Sequence, residues 1–264
     1  MPTQSAIHYI PIATTVVAVI FAITVLTRFR RRGGPHLLWW GLGMITYAAG
    51  TLTESWTTLF GWNELVFRLW YVTGALLGGA PLAQGTAYLL WSRKTANRLA
   101  IVLVIVIAVA AIAAFSVPVN HALVEPHRLS GKVFAAQWVR AFSPFINTYA
   151  AAVLIGGAIW SAVRYWREQG RTALRRVAAN VAIAVGGILP GIGGGFTRLG
   201  HVEVLYVTEL LGLLLIFTGY LLITRDAGPT IHPAVPFPTT STVRPPLTAA
   251  GPVVVTAPVG PAPA

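Results

Sequence analysis

Two glutamates, Glu54 and Glu209, stand in long apolar stretches of the sequence, where ionisable side chains are rare. An ionised carboxylate inside a bilayer costs at least a few kcal/mol, so each glutamate should either pair with a cation or hold its proton. From the helical rise per residue, both lie about 7 Å outward of the middle of their helices. Carboxyl groups at this depth are candidates for binding a ligand or carrying a proton.

Other polar side chains fall in the apolar stretches at a similar depth or nearer the outer surface. A compact bundle of helices would bring them together with the two carboxyls in one outward-facing polar pocket. We predict that this pocket binds a ligand. The predicted ligand-binding residues are Glu54, Arg68, Tyr71, Asn147, Tyr206 and Glu209.

A structural role is the alternative for the two glutamates, in which each pairs with Arg68 or Arg140 and only holds helices together. Arg68 is the nearest cation to Glu54 by depth, whereas Glu209 has no basic residue within two turns on its own helix. We therefore predict that Glu54 pairs with Arg68, so that Glu54→Gln lowers stability. Glu209 is predicted to hold a proton.

Catalytic chemistry finds little support in the residue types. The chain contains no cysteine, which excludes thiol catalysis, and Asp226 is its only aspartate, on the opposite side from most histidines. We expect no catalytic residue, no metal and no cofactor, and an intramembrane enzyme ranks behind the other functions. A zinc site at the outer face stays open. The histidines that could form it are His8, His121, His127 and His201.

The composition is that of a membrane protein. Hydrophobic residues make up 55% of the 264 residues and charged residues only 10%, with a mean hydropathy of +0.69, whereas soluble domains carry about 25% charged residues. The net charge of +12 comes from basic residues in loops, so no nucleic-acid partner is expected. The expected partners are the lipid bilayer, an unknown small molecule or ion and, through small residues on the helices, a second copy of the chain.

Seven apolar segments are each long enough to cross a bilayer, which predicts an all-α bundle of seven transmembrane helices in one domain, 1–226. The Pro- and Ala-rich remainder, 227–264, is expected to be a disordered cytoplasmic tail. Pro190, among glycines in the sixth segment, predicts a kinked or partly unwound helix. The predicted helices are 7–27, 37–60, 65–90, 98–117, 141–163, 174–196 and 204–224.

Basic residues are concentrated in every second predicted loop. They concentrate after the first, third, fifth and seventh segments, so the positive-inside rule places the N-terminus outside and the C-terminus inside. No basic residue precedes the first segment and four arginines follow it within 28–32, which predicts a retained helix and not a cleaved signal peptide. The expected location is a cell membrane, as a multi-pass protein of the bacterial inner membrane.

The stretches 61–78 and 200–212 share a pattern. Each contains Gly-x-x-Glu, then Tyr-Val-Thr, then Leu-Leu-Gly. Pro11 and Pro144 also open the first and fifth helices, each with a threonine four residues later. This spacing predicts three helices, a connector and three more helices as a parallel repeat. Chance similarity is the alternative, because apolar helices use few residue types.

Two resemblances accompany these patterns. Leu205 through Gly212 resembles the seventh helix of microbial rhodopsins, with Leu210 where those proteins carry the retinal-binding lysine, so no Schiff base can form. The arrangement of three, one and three helices resembles the sugar facilitators, without their Pro-Gln signature. We expect a small-solute or proton-linked carrier. The alternative is a receptor-like sensor that acts through a separate partner protein.

Overall fold

The computed structural model describes residues 6–168 and 170–225. Over this part of the chain the structure is helical apart from short connections and one longer loop, which confirms the predicted all-α class. The predicted tail, 227–264, lies outside the described residues. The α-helices are α1 (Ile10–Arg32), α2 (Pro35–Phe60), α3 (Glu64–Trp70), α4 (Ala80–Leu90), α5 (Arg93–Ser116), α6 (Phe142–Trp166), α7 (Arg171–Arg198) and α8 (Val202–Arg225).

Six helical segments of the described chain are long and apolar enough to cross a membrane, so the protein is a multi-pass membrane protein. The second predicted span, α2, is not among the six, although it has 26 residues. Its buried face carries Glu54 and several hydroxyl side chains, which lower its hydropathy. The six segments are Ile10–Arg32, Glu64–Leu90, Arg93–Ser116, Gln137–Trp166, Arg171–Thr197 and Val202–Arg225.

The helices form a closed bundle. α2 packs between α1 and the α3–α4 pair, α6 packs against α4 and α7, and α8 packs against α7 and α1. α5 makes fewer contacts, mainly with α4 and the segment before it. We call the end where α1, α4, α6 and α8 finish the arginine-rich end, and the end that carries 61–63, 117–141 and 199–201 the loop end.

The third predicted helix, 65–90, is broken and not continuous. α3 runs into a π-helical stretch, Tyr71–Leu76, and α4 begins only after a turn at 77–79. A Cβ at Gly78 would lie 2.6 Å from the Gly74 carbonyl oxygen, so this turn requires glycine. Pro81 then occupies the first turn of α4, where its missing N–H is not needed.

Of the two predicted forms of the helix around Pro190, kinked or partly unwound, the unwound one is wrong, because α7 is a continuous α-helix through this residue. Proline deprives the Gly186 carbonyl of its helical donor. That carbonyl instead packs against α8 at Gly212, where a Cβ would lie only 2.6 Å from the oxygen. The absence of a side chain at Gly212 thus lets α8 approach α7 closely beside the proline.

The loop 117–141 covers the loop end. Val133, Phe134 and Val139 are fully buried in it, in one apolar cluster with Phe67 of α3. The Tyr71 hydroxyl donates to the Val139 carbonyl at 3.0 Å. This loop is therefore part of the folded core and not a surface excursion.

Candidate functional site

A cavity of about 510 Å³ lies inside the bundle and reaches toward the loop end. Its walls come from α2, the break between α3 and α4, α6, α7 and α8. Most of the lining is apolar or glycine. The polar lining residues are Tyr47, Thr51, Glu54, Trp70, Ser143, Asn147 and Glu209.

The two predicted carboxyls, Glu54 and Glu209, lie next to each other in the lining of this cavity. Glu54, which is 7% exposed, accepts a 2.9 Å hydrogen bond from Nε1 of Trp70 through Oε1. Its side chain is also within hydrogen-bonding reach of the Glu209 side chain. Two carboxylates this close cannot both be ionised without a cation, so the pair can share a proton.

No described cation neutralises this pair by direct contact, because the ion pairs of the described residues involve other carboxylates. Arg68 pairs with Glu64, with Nη2 and Oε1 2.7 Å apart. The second arginine ion pair joins Arg128 to Glu125. Oε2 of Glu54 has no hydrogen-bond partner within the described structure, so it can accept the shared proton.

The predicted pairing of Glu54 with Arg68 is wrong. Glu64 stands one helical turn before Arg68 on the same helix and reaches its guanidinium first. The remaining N–H groups donate to the backbone carbonyls of Ala114 and Val117 at the end of α5. Arg68 thus fastens α3 to α5, and Glu54→Gln would not leave it without a partner.

Asn147 and Ser143 of α6 line the cavity and close the break in the third span. The Asn147 amide and the Ser143 hydroxyl each donate to the Ala75 carbonyl at 3.0 Å. This carbonyl lies in the π-helical stretch just before the turn, where regular helical bonding ends. Polar side chains on α6 therefore satisfy backbone that the break exposes.

The six predicted site residues divide into two groups. Glu54, Asn147 and Glu209 line the cavity, and buried Tyr206 lies close enough to both carboxyls to interact with them electrostatically. The other two, Arg68 and Tyr71, contact the end of α5 and the loop 117–141 and are not among the described lining residues.

Trp70 and Tyr47 are site residues that the sequence did not reveal. Trp70 bonds Glu54, and the Tyr47 hydroxyl donates to the Glu209 backbone carbonyl at 3.2 Å. A tryptophan near a helix end is typical of the headgroup region, which hides this role. Tyr47 stands seven residues before Glu54, two turns along the same face of α2, and that spacing is the signal that could have found it.

Three glycines of α7 shape one wall of the cavity. A Cβ at Gly191, Gly194 or Gly195 would meet nothing within 4 Å. These residues line the cavity without filling it. The glycine-rich segment therefore makes room beside the carboxyl pair as well as permitting helix contact.

Two of the four histidines predicted for a zinc site contact other groups in the described structure. His121 lies 3.9 Å from a Glu64 carboxylate oxygen, and Nδ1 of His127 lies 3.4 Å from the Thr57 carbonyl oxygen. Within the described residues, no group of three or more His, Asp or Glu side chains could hold a metal ion.

A second cavity, of about 210 Å³, lies toward the arginine-rich end. Leu154 lines both cavities. On three other helices the lining residues of the two cavities are about one turn apart, so a single apolar layer separates them. These pairs are Leu82 and Thr86 on α4, Gly187 and Ile183 on α7, and Ile216 and Tyr220 on α8.

Comparisons of the chain with protein families, with curated proteins and with solved structures found no match. The case for a function rests on the two cavities and on the residues that line them.

Proposed function

We propose that the protein is a proton-linked carrier of a small solute in the bacterial inner membrane. The larger cavity is its solute site, and the pair of Glu54 and Glu209 is its proton site. The observation that carries the proposal is this pair, which lies in a membrane-spanning bundle, faces a cavity and contacts no cation among the described residues. A carboxyl pair in such a place can take up and release a proton as the solute binds and leaves.

The second cavity supports movement through the bundle. A carrier needs access from both sides of the membrane and a barrier between them. Here the barrier is about one helical turn thick, and Leu154, Ile183 and Ile216 in it are all nine-tenths or more buried. Small shifts of α6, α7 or α8 in this layer would connect the two cavities.

We also propose that α2 is a seventh membrane span and that the loop end lies outside the cell. The three spans before α5 and the three after it are proposed to be a parallel repeat. The basic residues at the opposite end support that orientation. In the repeat, α1, α2 and the α3–α4 pair of the first half correspond to α6, α7 and α8 of the second. The packing supports this correspondence, because α1 contacts α8 and the equivalent helices, α6 and α4, also contact each other. One local difference separates the halves, since the third span is broken whereas its counterpart α8 is continuous.

Transport by purified protein in sealed liposomes tests the function. The vesicles contain a pH-sensitive dye, and radiolabelled sugars, polyols, amino acids and organic amines are added outside them one at a time. We expect at least one solute to enter together with protons in the wild type. Glu209→Gln is expected to abolish the proton movement, because an amide cannot release a proton.

Glu168→Gln is the matched control, because Glu168 is exposed at the arginine-rich end and does not line either cavity. It should transport as the wild type does. A panel member that raises the unfolding temperature of the protein, yet neither crosses the membrane nor moves protons, would contradict the carrier and favour the receptor-like sensor.

A further inference from the structure

The smaller cavity has a lining of different chemistry from the larger one. It lies between α1, α2, α4, α6, α7 and α8 at the arginine-rich end, and no described carboxylate lines it. Arginine and tryptophan side chains can only donate hydrogen bonds, and tyrosine and serine hydroxyls can donate. The lining residues that can donate are Arg28, His36, Trp40, Thr86, Ser161, Asn180, Tyr220 and Thr224.

Two of these donors are buried without a partner. The Tyr220 hydroxyl and Nε1 of Trp40 make no hydrogen bond within the described structure, although the residues are only 6% and 7% exposed. Their rings stack with centroids 5.8 Å apart, and both residues line the smaller cavity. Buried polar groups are almost always satisfied in native proteins, because an unmet one costs about 1–3 kcal/mol.

Arg28 adds a positive charge to this site. Its Nη1 donates to the Thr224 carbonyl at 3.5 Å, a long bond that holds the guanidinium beside Tyr220 on α8. Within the described chain no acidic side chain lies within ion-pair distance of it. A half-buried cation beside unpaired donors is suited to a ligand that brings negative charge and hydrogen-bond acceptors.

We propose that this cavity binds an oxyanion, a carboxylate or phosphate group, through Arg28, Tyr220 and Trp40. A volume of about 210 Å³ has room for such a group. The group can belong to the head of an anionic lipid or to a free small anion, and Leu89 and Ile223 form an exposed apolar rim that suits the lipid. The proposal does not depend on the carrier function, because it concerns a different cavity.

Stability measurements with two kinds of probe test the site. The protein is placed in nanodiscs of phosphatidylcholine, with and without phosphatidylglycerol, and separately titrated with inorganic phosphate or acetate against chloride at equal ionic strength. We expect one of the oxyanions to raise the unfolding temperature of the wild type. A shift with phosphatidylglycerol alone identifies a lipid head group, and a shift with phosphate or acetate in phosphatidylcholine identifies a free anion.

Variants link the effect to the cavity. Arg28→Gln is expected to weaken the apparent affinity about tenfold or more, since a hydrogen-bonded charge is lost. Tyr220→Phe removes only an unpaired hydroxyl and should weaken affinity severalfold while preserving the fold. Arg30→Gln is the control, because Arg30 is exposed at the same end and does not line the cavity. The proposal is overturned if no oxyanion stabilises the wild type, or if Arg30→Gln weakens binding as much as Arg28→Gln.

Discussion

Replacing Gly212 by alanine tests the close contact between α7 and α8. A Cβ at this position would lie 2.6 Å from the Gly186 carbonyl oxygen and 3.1 Å from Cδ of Pro190. Helix backbone fixes the first atom and a proline ring fixes the second, so neither can turn aside. The two helices must move apart, and overpacking of this kind costs about 1–3 kcal/mol.

Alanine also favours a helix over glycine by about 1 kcal/mol, which offsets part of that cost. Gly156 isolates this gain, because it lies within α6 and a Cβ there meets nothing within 4 Å. We expect Gly212→Ala to lower the free energy of unfolding by up to about 2 kcal/mol, the overpacking cost less the gain in helix propensity. Gly156→Ala should leave that free energy unchanged or raise it, so the two variants differ in sign.

The assay is reversible unfolding in mixed micelles by added dodecyl sulfate, followed by circular dichroism and tryptophan fluorescence. Wild type and both variants are compared under one set of conditions, so that the denatured state is common to all. A Gly212→Ala protein that gains as much stability as the Gly156→Ala protein would refute the close approach of α7 and α8. A Gly156→Ala protein as unstable as Gly212→Ala would show that position 156 packs against something outside the monomer.

A reporter enzyme active only in the cytoplasm should be active when fused after Arg225 and inactive when fused after Val119, because the arginine-rich end is expected inside; reversed activities would contradict the orientation. Glu64→Gln should lower the free energy of unfolding by about 1–3 kcal/mol, since buried Arg68 keeps its charge and loses its carboxylate. The control is Glu168→Gln, which changes an exposed carboxylate, and its free energy of unfolding is measured in the same way. Equal stability of the Glu64→Gln and Glu168→Gln proteins would show that Arg68 does not need Glu64.

The positions of the long helices followed from hydropathy, because a span must be apolar over most of its length. The predicted ends of the helices agreed less well with the structure. α5 begins at Arg93 and not at the predicted 98, since Ser92 accepts a hydrogen bond from the Thr95 backbone N–H and caps the helix before its apolar part. Lys94 therefore lies in the first turn of α5, and hydropathy alone does not register such polar first turns.

The break in the third span was not predicted, although Gly78, Gly79 and Pro81 signal it. A proline alone does not locate a break, because Pro190 lies inside the continuous helix α7 whereas Pro81 lies in the first turn of α4. At Ala75 the side chains of Asn147 and Ser143 supply donors. Those contacts join residues about 70 positions apart, which local sequence patterns do not encode.

The candidate site was predictable to the extent that depth identifies functional groups. The cost of a carboxylate in a membrane singled out Glu54 and Glu209, and both line the larger cavity. Their partners were not predictable, because depth does not say which faces meet. Arg68, which had been assigned to Glu54, pairs instead with Glu64 one helical turn away. The Glu54 carboxyl accepts a hydrogen bond from Trp70.

The measurement that tests the proton site most directly is the infrared carbonyl stretch of a protonated carboxyl, recorded in lipid nanodiscs at neutral pH. We expect this band in the wild type and in Glu168→Gln, with the usual shift to lower frequency in heavy water, and its loss in the double variant Glu54→Gln, Glu209→Gln. In the wild type the band should fade as the pH rises and the shared proton leaves. A wild-type protein without the band at neutral pH, or a band that survives in the double variant, would contradict the account.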